Sequence, residues 1–172
     1  KYGFKYNYLR PSKLSKSKSN VFDAVRHALE WLSKNYNLTY DAVLLLQPTS
    51  PLRNISELKE AIAIFKSKKI KSLASVTRMR EHPEECIEIK GENWNFLKRK
   101  KRNYFGRQSF STKFFFIDGN FYLIKKDTML KYKSFIIEKV TKFYKLKTKW
   151  PIDIDDPEDL KVTEAIIKSK KK

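Results

Sequence analysis

Apolar and polar positions follow two rhythms along this chain, one helical and one extended. Val21, Ala24, Val25, Ala28, Leu29 and Leu32 recur at helical spacing behind Asn20, with Asp23 in the first turn. That pattern predicts a helix capped by Asn20 and ending near residues 35–37. Residues 42–46 are an unbroken apolar run, Ala-Val-Leu-Leu-Leu, that stops abruptly in the polar, double-proline segment Gln47-Pro48-Thr49-Ser50-Pro51-Leu52-Arg53. Such a run predicts a buried parallel strand delivering a loop at its carboxyl end, where open α/β sheets bind ligands. Ser56 is the expected cap of a second helix that turns Leu58, Ala61, Ile62 and Phe65 toward the sheet, and residues 72–77 predict a second buried strand. This alternation implies a three-layer α/β fold with a mostly parallel sheet covered on both faces.

The middle of the chain departs from the alternation. Residues 86–90 and 94–97 flank Gly91-Glu92-Asn93 as a hairpin would. Residues 79–112 therefore form an excursion from the sheet. Residues 114–125 are strongly β-prone, but Asp118-Gly119-Asn120 interrupts them as either a turn or a bulge. Asp127 is the expected cap of a short helix through Tyr132, and residues 142–147 predict another strand. The last helix opens on Asp156 as cap, Pro157 at the first helical position and Glu158 with Asp159 in the first turn; Leu160, Thr163, Ile166 and Ile167 line its core side. Residues 12–20, basic and serine-rich, read as a mobile loop.

Composition narrows the function classes. A chain of 172 residues with 41% hydrophobic and 14% aromatic content supports one folded domain. The formal charge of +19 raises nucleic-acid binding, yet only eight of the 38 basic residues are Arg, the residue suited to bidentate phosphate and base contacts. A solvated lysine surface that attracts polyanionic small substrates, such as nucleoside triphosphates, fits better. No run approaches the roughly 20 apolar residues of a membrane span, and the first ten residues lack a signal-peptide core, so a soluble, cytoplasmic protein is expected. Cys86, the single cysteine, is read as structural. His27 and His82 have no second ligand at metal spacing.

Two segments carry candidate chemistry. In residues 47–53 the prolines stiffen the loop, Gln47 can exchange hydrogen bonds with sugar hydroxyls and Arg53 can grip a carboxylate or phosphate; the same loop could be no more than a rigid turn. In Asp153-Ile154-Asp155-Asp156, side chains two apart in an extended segment point the same way. Asp153 and Asp155 could thus form the carboxylate pair of a Mg²⁺ site completed by substrate phosphates, while acidic residues before a helix also serve simply as caps.

The run LQPTSPLR, the segment Asp118-Gly119-Asn120-Phe121-Tyr122 and the ending IDIDDPEDL, in that order over nearly the whole chain, resemble the acylneuraminate cytidylyltransferase (CMP-N-acetylneuraminic acid synthetase) family. The resemblance implies a nucleotide-diphospho-sugar-transferase-like, Rossmann-like fold and transfer of CMP from CTP to the anomeric hydroxyl of a nine-carbon α-keto acid sugar, with pyrophosphate released. It implies that Gln47 contacts the sugar, that Thr49, Ser50, Arg53 and Asp118 shape its pocket, and that Tyr122 and Phe135 line it. It implies further that Arg107 faces the sugar carboxylate, that Asp153 and Asp155 hold Mg²⁺, and that a homodimer forms through the excursion at 79–112.

Three departures from the family pattern accompany this. The family's glycine- and basic-rich loop, roughly ARGGSK, has no counterpart among the four scattered glycines. The chain begins without Met, so an N-terminally incomplete domain is expected. The acidic residue that the family carries near Ser17 is replaced by SKSKS, and the family's Asn before Gly is Asp118 here. A non-catalytic sugar-acid-binding relic and a basic nucleic-acid-binding module are the rival readings.

Overall fold

The helix expected behind Asn20 is α1 (Val21–Tyr36): the Asn20 side chain accepts from Phe22 N at 2.9 Å, and Asn37 ends the helix in the left-handed conformation. The computed structural model describes residues 6–67, 69–97, 112–147 and 152–169. After α1 come β1 (Ala42–Leu45), α2 (Ile55–Ser67), β2 (Ser72–Arg78), β3 (Ile87–Lys90), β4 (Asn93–Phe96), β5 (Phe115–Lys125), α3 (Lys126–Tyr132), β6 (Thr141–Lys145) and α4 (Pro157–Ser169). Short 3-10 turns occupy Ser12–Leu14, inside the stretch expected to be a mobile loop, and Pro83–Glu85.

Four strands form one sheet in the order β1-β5-β2-β6, and β3 with β4 forms a separate hairpin. The expected alternation of helices and strands is present, and the fold is mixed α/β. The pairing of β1 differs from expectation: its partner is antiparallel, with Ala42 opposite Lys125 and Leu45 opposite Tyr122. An apolar run reports burial, not the direction of the neighbouring strand. β2 runs antiparallel to β5, through bonds from Lys125 N to Lys71 O and Met79 N to Phe114 O, and parallel to β6, with Ser72 beside Thr141 and Leu146 N donating to Val76 O. Six successive residues of β2 are buried, as its sequence predicts.

The chain divides into two compact units. The first comprises residues 1–45, 61–74 and 122–142. Its core is Phe22 of α1, Ile124 of β5, Met129 of α3, Phe135 and Ile137, with Val25, Leu29, Val43, Leu45, Tyr122 and Val140 packed against it. Phe22 replaces Val21 in the buried stripe, since Val21 is exposed. Burying each large apolar side chain contributes roughly 2 kcal/mol. Ser72 Oγ donates to Phe135 O at 2.9 Å and lies 2.9 Å from Thr141 Oγ1, which fastens β2 to the loop after α3. Tyr8 OH meets His27 Nδ1 at 3.1 Å. α3 begins at Lys126, straight from β5, so Asp127 sits inside its first turn and does not cap it.

The second unit comprises residues 46–60, 75–121 and 143–172. Asn54, two residues before the expected cap, starts α2 by accepting from Ser56 N at 2.9 Å. Leu58 is buried, as are Ala61 and Phe65 further along the same helix. Glu57, also buried, accepts from Lys147 N at 2.6 Å, and Tyr144 OH donates to Glu60 at 2.8 Å. The hairpin turns on Gly91 (φ +62°), one residue tighter than expected, and pairs Ile87 with Phe96 and Ile89 with Trp94. β5 runs through Asp118-Gly119-Asn120 without a turn, Gly119 taking φ +72°, as in a bulge. Asp156 caps α4 by accepting from Asp159 N at 2.8 Å, while Asp159 Oδ2 accepts in return from Asp155 N and Asp156 N. This reciprocal arrangement has the form of a capping box. Of the face assigned to the α4 core side, Thr163 is buried, Leu160 and Ile167 are exposed.

Candidate functional site

The loop that leaves β1 is held by its own arginine. Ser50 N donates to Gln47 O at 3.2 Å, closing a turn over Pro48 and Thr49. Arg53 then reaches back, its Nη2 donating to Gln47 O at 2.8 Å and its Nε to Asn120 O at 2.9 Å. Partial burial lowers the pKa of this guanidinium from its ordinary value, although an arginine stays charged. Two of its donors are thus engaged by main-chain carbonyls, and they tie the start of the loop to β5.

The acidic segment joins the same loop from the other side. Ile154 N donates to Thr49 O at 2.8 Å, and Ser50 Oγ lies 3.5 Å from Asp153 Oδ1. Asp153 and Asp155 are exposed while Ile154 is half-buried, the alternation expected of an extended stretch. The capping box leaves both of these carboxylates outside the helix start, since Asp156 and Asp159 do the capping.

Gly119 lies between the two segments. A Cβ built there would collide with Gln47 Oε1, and it would stand 3.6 Å from Asp153 Oδ2. The carboxamide of Gln47 therefore rests on the bare α-carbon of Gly119. Its flanking residues are fixed in turn. Asp118 is buried, with Oδ1 accepting from Ser75 Oγ at 2.5 Å and from Asn120 N at 3.0 Å, and Oδ2 accepting from Thr77 Oγ1 at 2.6 Å. Ser75 Oγ also accepts from Phe121 N at 3.1 Å.

The second unit thus brings Gln47, Thr49, Ser50, Arg53, Asp118 and Asp153 into one connected arrangement, with Asp155 next along the chain. Tyr122 and Phe135 lie in the first unit, their ring centroids 6.1 Å apart, Phe135 within the core and Tyr122 packed against it. Arg107 lies outside the described residues. Ser75 and Thr77 were not singled out in sequence. The hydroxyls inside the buried strand SLASVTR were the available signal, because a buried hydroxyl needs a partner.

Asp153 and Asp155 are hard oxygen donors of the kind Mg²⁺ takes one or two at a time, leaving its remaining positions to water and phosphate. Among the described residues no group of three or more His, Cys, Asp or Glu is placed to hold a metal. Asp153 and Asp155 supply two such donors, both exposed.

Fold and loop together define a mixed α/β protein with a polar, hydrogen-bonded loop at the carboxyl end of β1. No family model matches the chain. It is 28% identical over 166 residues to the CMP-N,N'-diacetyllegionaminic acid synthase of Legionella pneumophila, covering 96% of this chain and 70% of that protein. It is 24% identical over 151 residues to the N-acylneuraminate cytidylyltransferase of Streptococcus agalactiae, covering 88% of this chain and 35% of that one. Over 80 residues it is 34% identical to the enzyme of the same name from Escherichia coli, covering 46% of this chain and 18% of that one. The resemblance carried by LQPTSPLR, DGNFY and IDIDDPEDL is borne out: the chain is similar, over most of its length, to cytidylyltransferases of the acylneuraminate type. These relatives support an enzyme of that kind. Among the described residues no helix is long and apolar enough to cross a membrane.

Proposed function

We propose that this protein is a cytidylyltransferase that transfers CMP from CTP to a nonulosonic acid, a nine-carbon α-keto acid sugar, on a nucleotide-diphospho-sugar-transferase-like fold. The observation that carries the reading is the meeting of Gln47, Ser50 and Asp153 around Gly119, in a chain whose relatives are named for this chemistry. In the reaction the anomeric hydroxyl attacks the α-phosphorus of CTP. A new P–O bond forms to the sugar, the bond to pyrophosphate breaks, and the hydroxyl proton leaves to solvent or a base.

The chain's own contribution is positioning and charge. Gln47 donates to and accepts from the sugar hydroxyls; Thr49 and Ser50 shape the same wall. Arg53 keeps that wall rigid through its two carbonyl contacts. The sugar carboxylate is assigned to Arg107. Asp153 and Asp155 would hold Mg²⁺, which would neutralise phosphate charge. The protein works as a homodimer. Ile87, Ile89, Trp94 and Phe96 present one exposed apolar face of the β3-β4 hairpin, with Glu88 and Lys90 on the other. Exposed apolar faces of this kind are interaction surfaces.

The test is turnover: CTP and Mg²⁺ with N-acetylneuraminate, legionaminate or pseudaminate, followed by release of pyrophosphate and formation of the CMP-sugar. Turnover of one acid supports the reading. Binding of a sugar acid without turnover of any favours the non-catalytic alternative.

A further inference from the structure

We infer that Gly119 and Asp118 are positioning residues that set where the carboxamide of Gln47 stands. This rests on the cytidylyltransferase reading for its kinetic consequence but not for its geometry. Both oxygens of Asp118 are engaged, by the hydroxyls of Ser75 and Thr77 and by Asn120 N, and the residue is buried. Its carboxylate therefore serves the fold of β5 and does not reach a ligand. What it fixes is the left-handed conformation of its neighbour, φ +72° at Gly119, a conformation that L side chains rarely adopt. On the far side, Asn120 O is held by Arg53 Nε. The α-carbon of Gly119 is thus pinned from both directions, and it is the surface on which Gln47 Oε1 lies, with Asp153 Oδ2 beside it.

The replacement at 118 follows from this. A carboxamide at 118 could keep the network, because the Thr77 hydroxyl can turn from donor to acceptor. A methyl side chain there takes the acceptor from the buried Thr77 hydroxyl and leaves Ser75 Oγ, as donor, only its longer bond to Phe121 O at 3.3 Å. A methyl group at 119 displaces Gln47 even where the fold survives.

The experiment compares Gly119→Ala, Asp118→Asn and Asp118→Ala in the full chain. KM for N-acetylneuraminate (or whichever acid the wild type uses), KM for CTP and the melting midpoint are measured. The side-chain amide NMR signals of Gln47, identified by their loss in Gln47→Glu, are followed in parallel. Gly119→Ala is expected to raise the sugar KM about tenfold or more, the loss of one good hydrogen bond, with CTP KM within a factor of two. It should also shift the Gln47 amide signals. Asp118→Ala should follow Gly119→Ala, whereas Asp118→Asn, which keeps an acceptor for Ser75 Oγ and Asn120 N, should leave the Gln47 amide signals where they stand in the wild type. Unmoved Gln47 signals in Gly119→Ala overturn the inference, as does a sugar KM that changes strongly in Asp118→Asn alone, which would mean direct contact with the ligand. If the wild type turns over no sugar acid, the functional reading fails, and the Gln47 signals alone decide this inference.

Discussion

Arg53 shows how a cation suited to gripping a ligand also fastens its own loop. Its two hydrogen bonds to the carbonyls of Gln47 and Asn120 use the planar fork that lysine lacks. Arg53→Lys should cost about 2 kcal/mol of stability, the scale of hydrogen bonds from a charged group, read as a lower melting midpoint; a variant as stable as wild type contradicts the role. Asp153 makes the opposite case, since its carboxylate is exposed and lightly engaged. Asp153→Asn should leave the melting midpoint within a degree or two while lowering kcat by about 100-fold, the scale for removing one electrostatic stabiliser. At this scale the sequence was legible in type and not in partner. The carboxylates, Gln47 and the double-proline loop stand out because their chemistry is local. The engagement of Asp118 by Ser75 and Thr77 spans more than forty residues of chain, and no periodicity announces it.

At the scale of elements, local rules did well wherever a cap or a stripe decides. Asn20, Asn37 and the Asp156-Pro157 start all stand where propensity puts them. Asn20→Ala should lower stability by about 1 kcal/mol, measured by chemical denaturation. The cap of α2 was misplaced because Asn54 and Ser56 are both good caps, and only the chain's path out of the proline loop selects Asn54. β1 was read as parallel because its apolar run is silent about its neighbour, which arrives from eighty residues later.

The contact of β6 with α2 gives a pH signature. Burial and the hydrogen bond to Glu60 push the Tyr144 pKa up to about 12, from 10.0. The same bond, with Lys147, holds Glu60 below its ordinary value. A raised tyrosine pKa means that its contribution is complete below pH 10 and is lost as pH rises through about 12. For Glu60 the lowered pKa means a contribution present above its ordinary value and lost as pH falls. The stability difference between wild type and Tyr144→Phe should therefore be flat near neutrality and shrink above pH 10. A difference constant from pH 8 to 12 contradicts the assignment.

The whole molecule adds what neither scale supplies, a reason for its exposed apolar surface. All eight residues of the β3-β4 hairpin are exposed, and four of them pair as an apolar face. Trp94→Asp should convert a dimer to a monomer by light scattering, whereas a monomeric wild type contradicts the proposed assembly. The lysine-rich charge of +19 belongs here too, as a field that draws in polyanions and weakens with salt.

The measurement that bears most directly on the central claim is CMP-sugar formation by the wild type beside Gln47→Ala and Asp153→Asn, with CTP, Mg²⁺ and each nonulosonic acid in turn. Wild type is expected to yield pyrophosphate and CMP-sugar in equal amounts. In Gln47→Ala the sugar KM should rise about tenfold, and in Asp153→Asn turnover should fall about 100-fold. Wild-type protein that is folded, binds CTP and forms no CMP-sugar with any of the acids would contradict that claim.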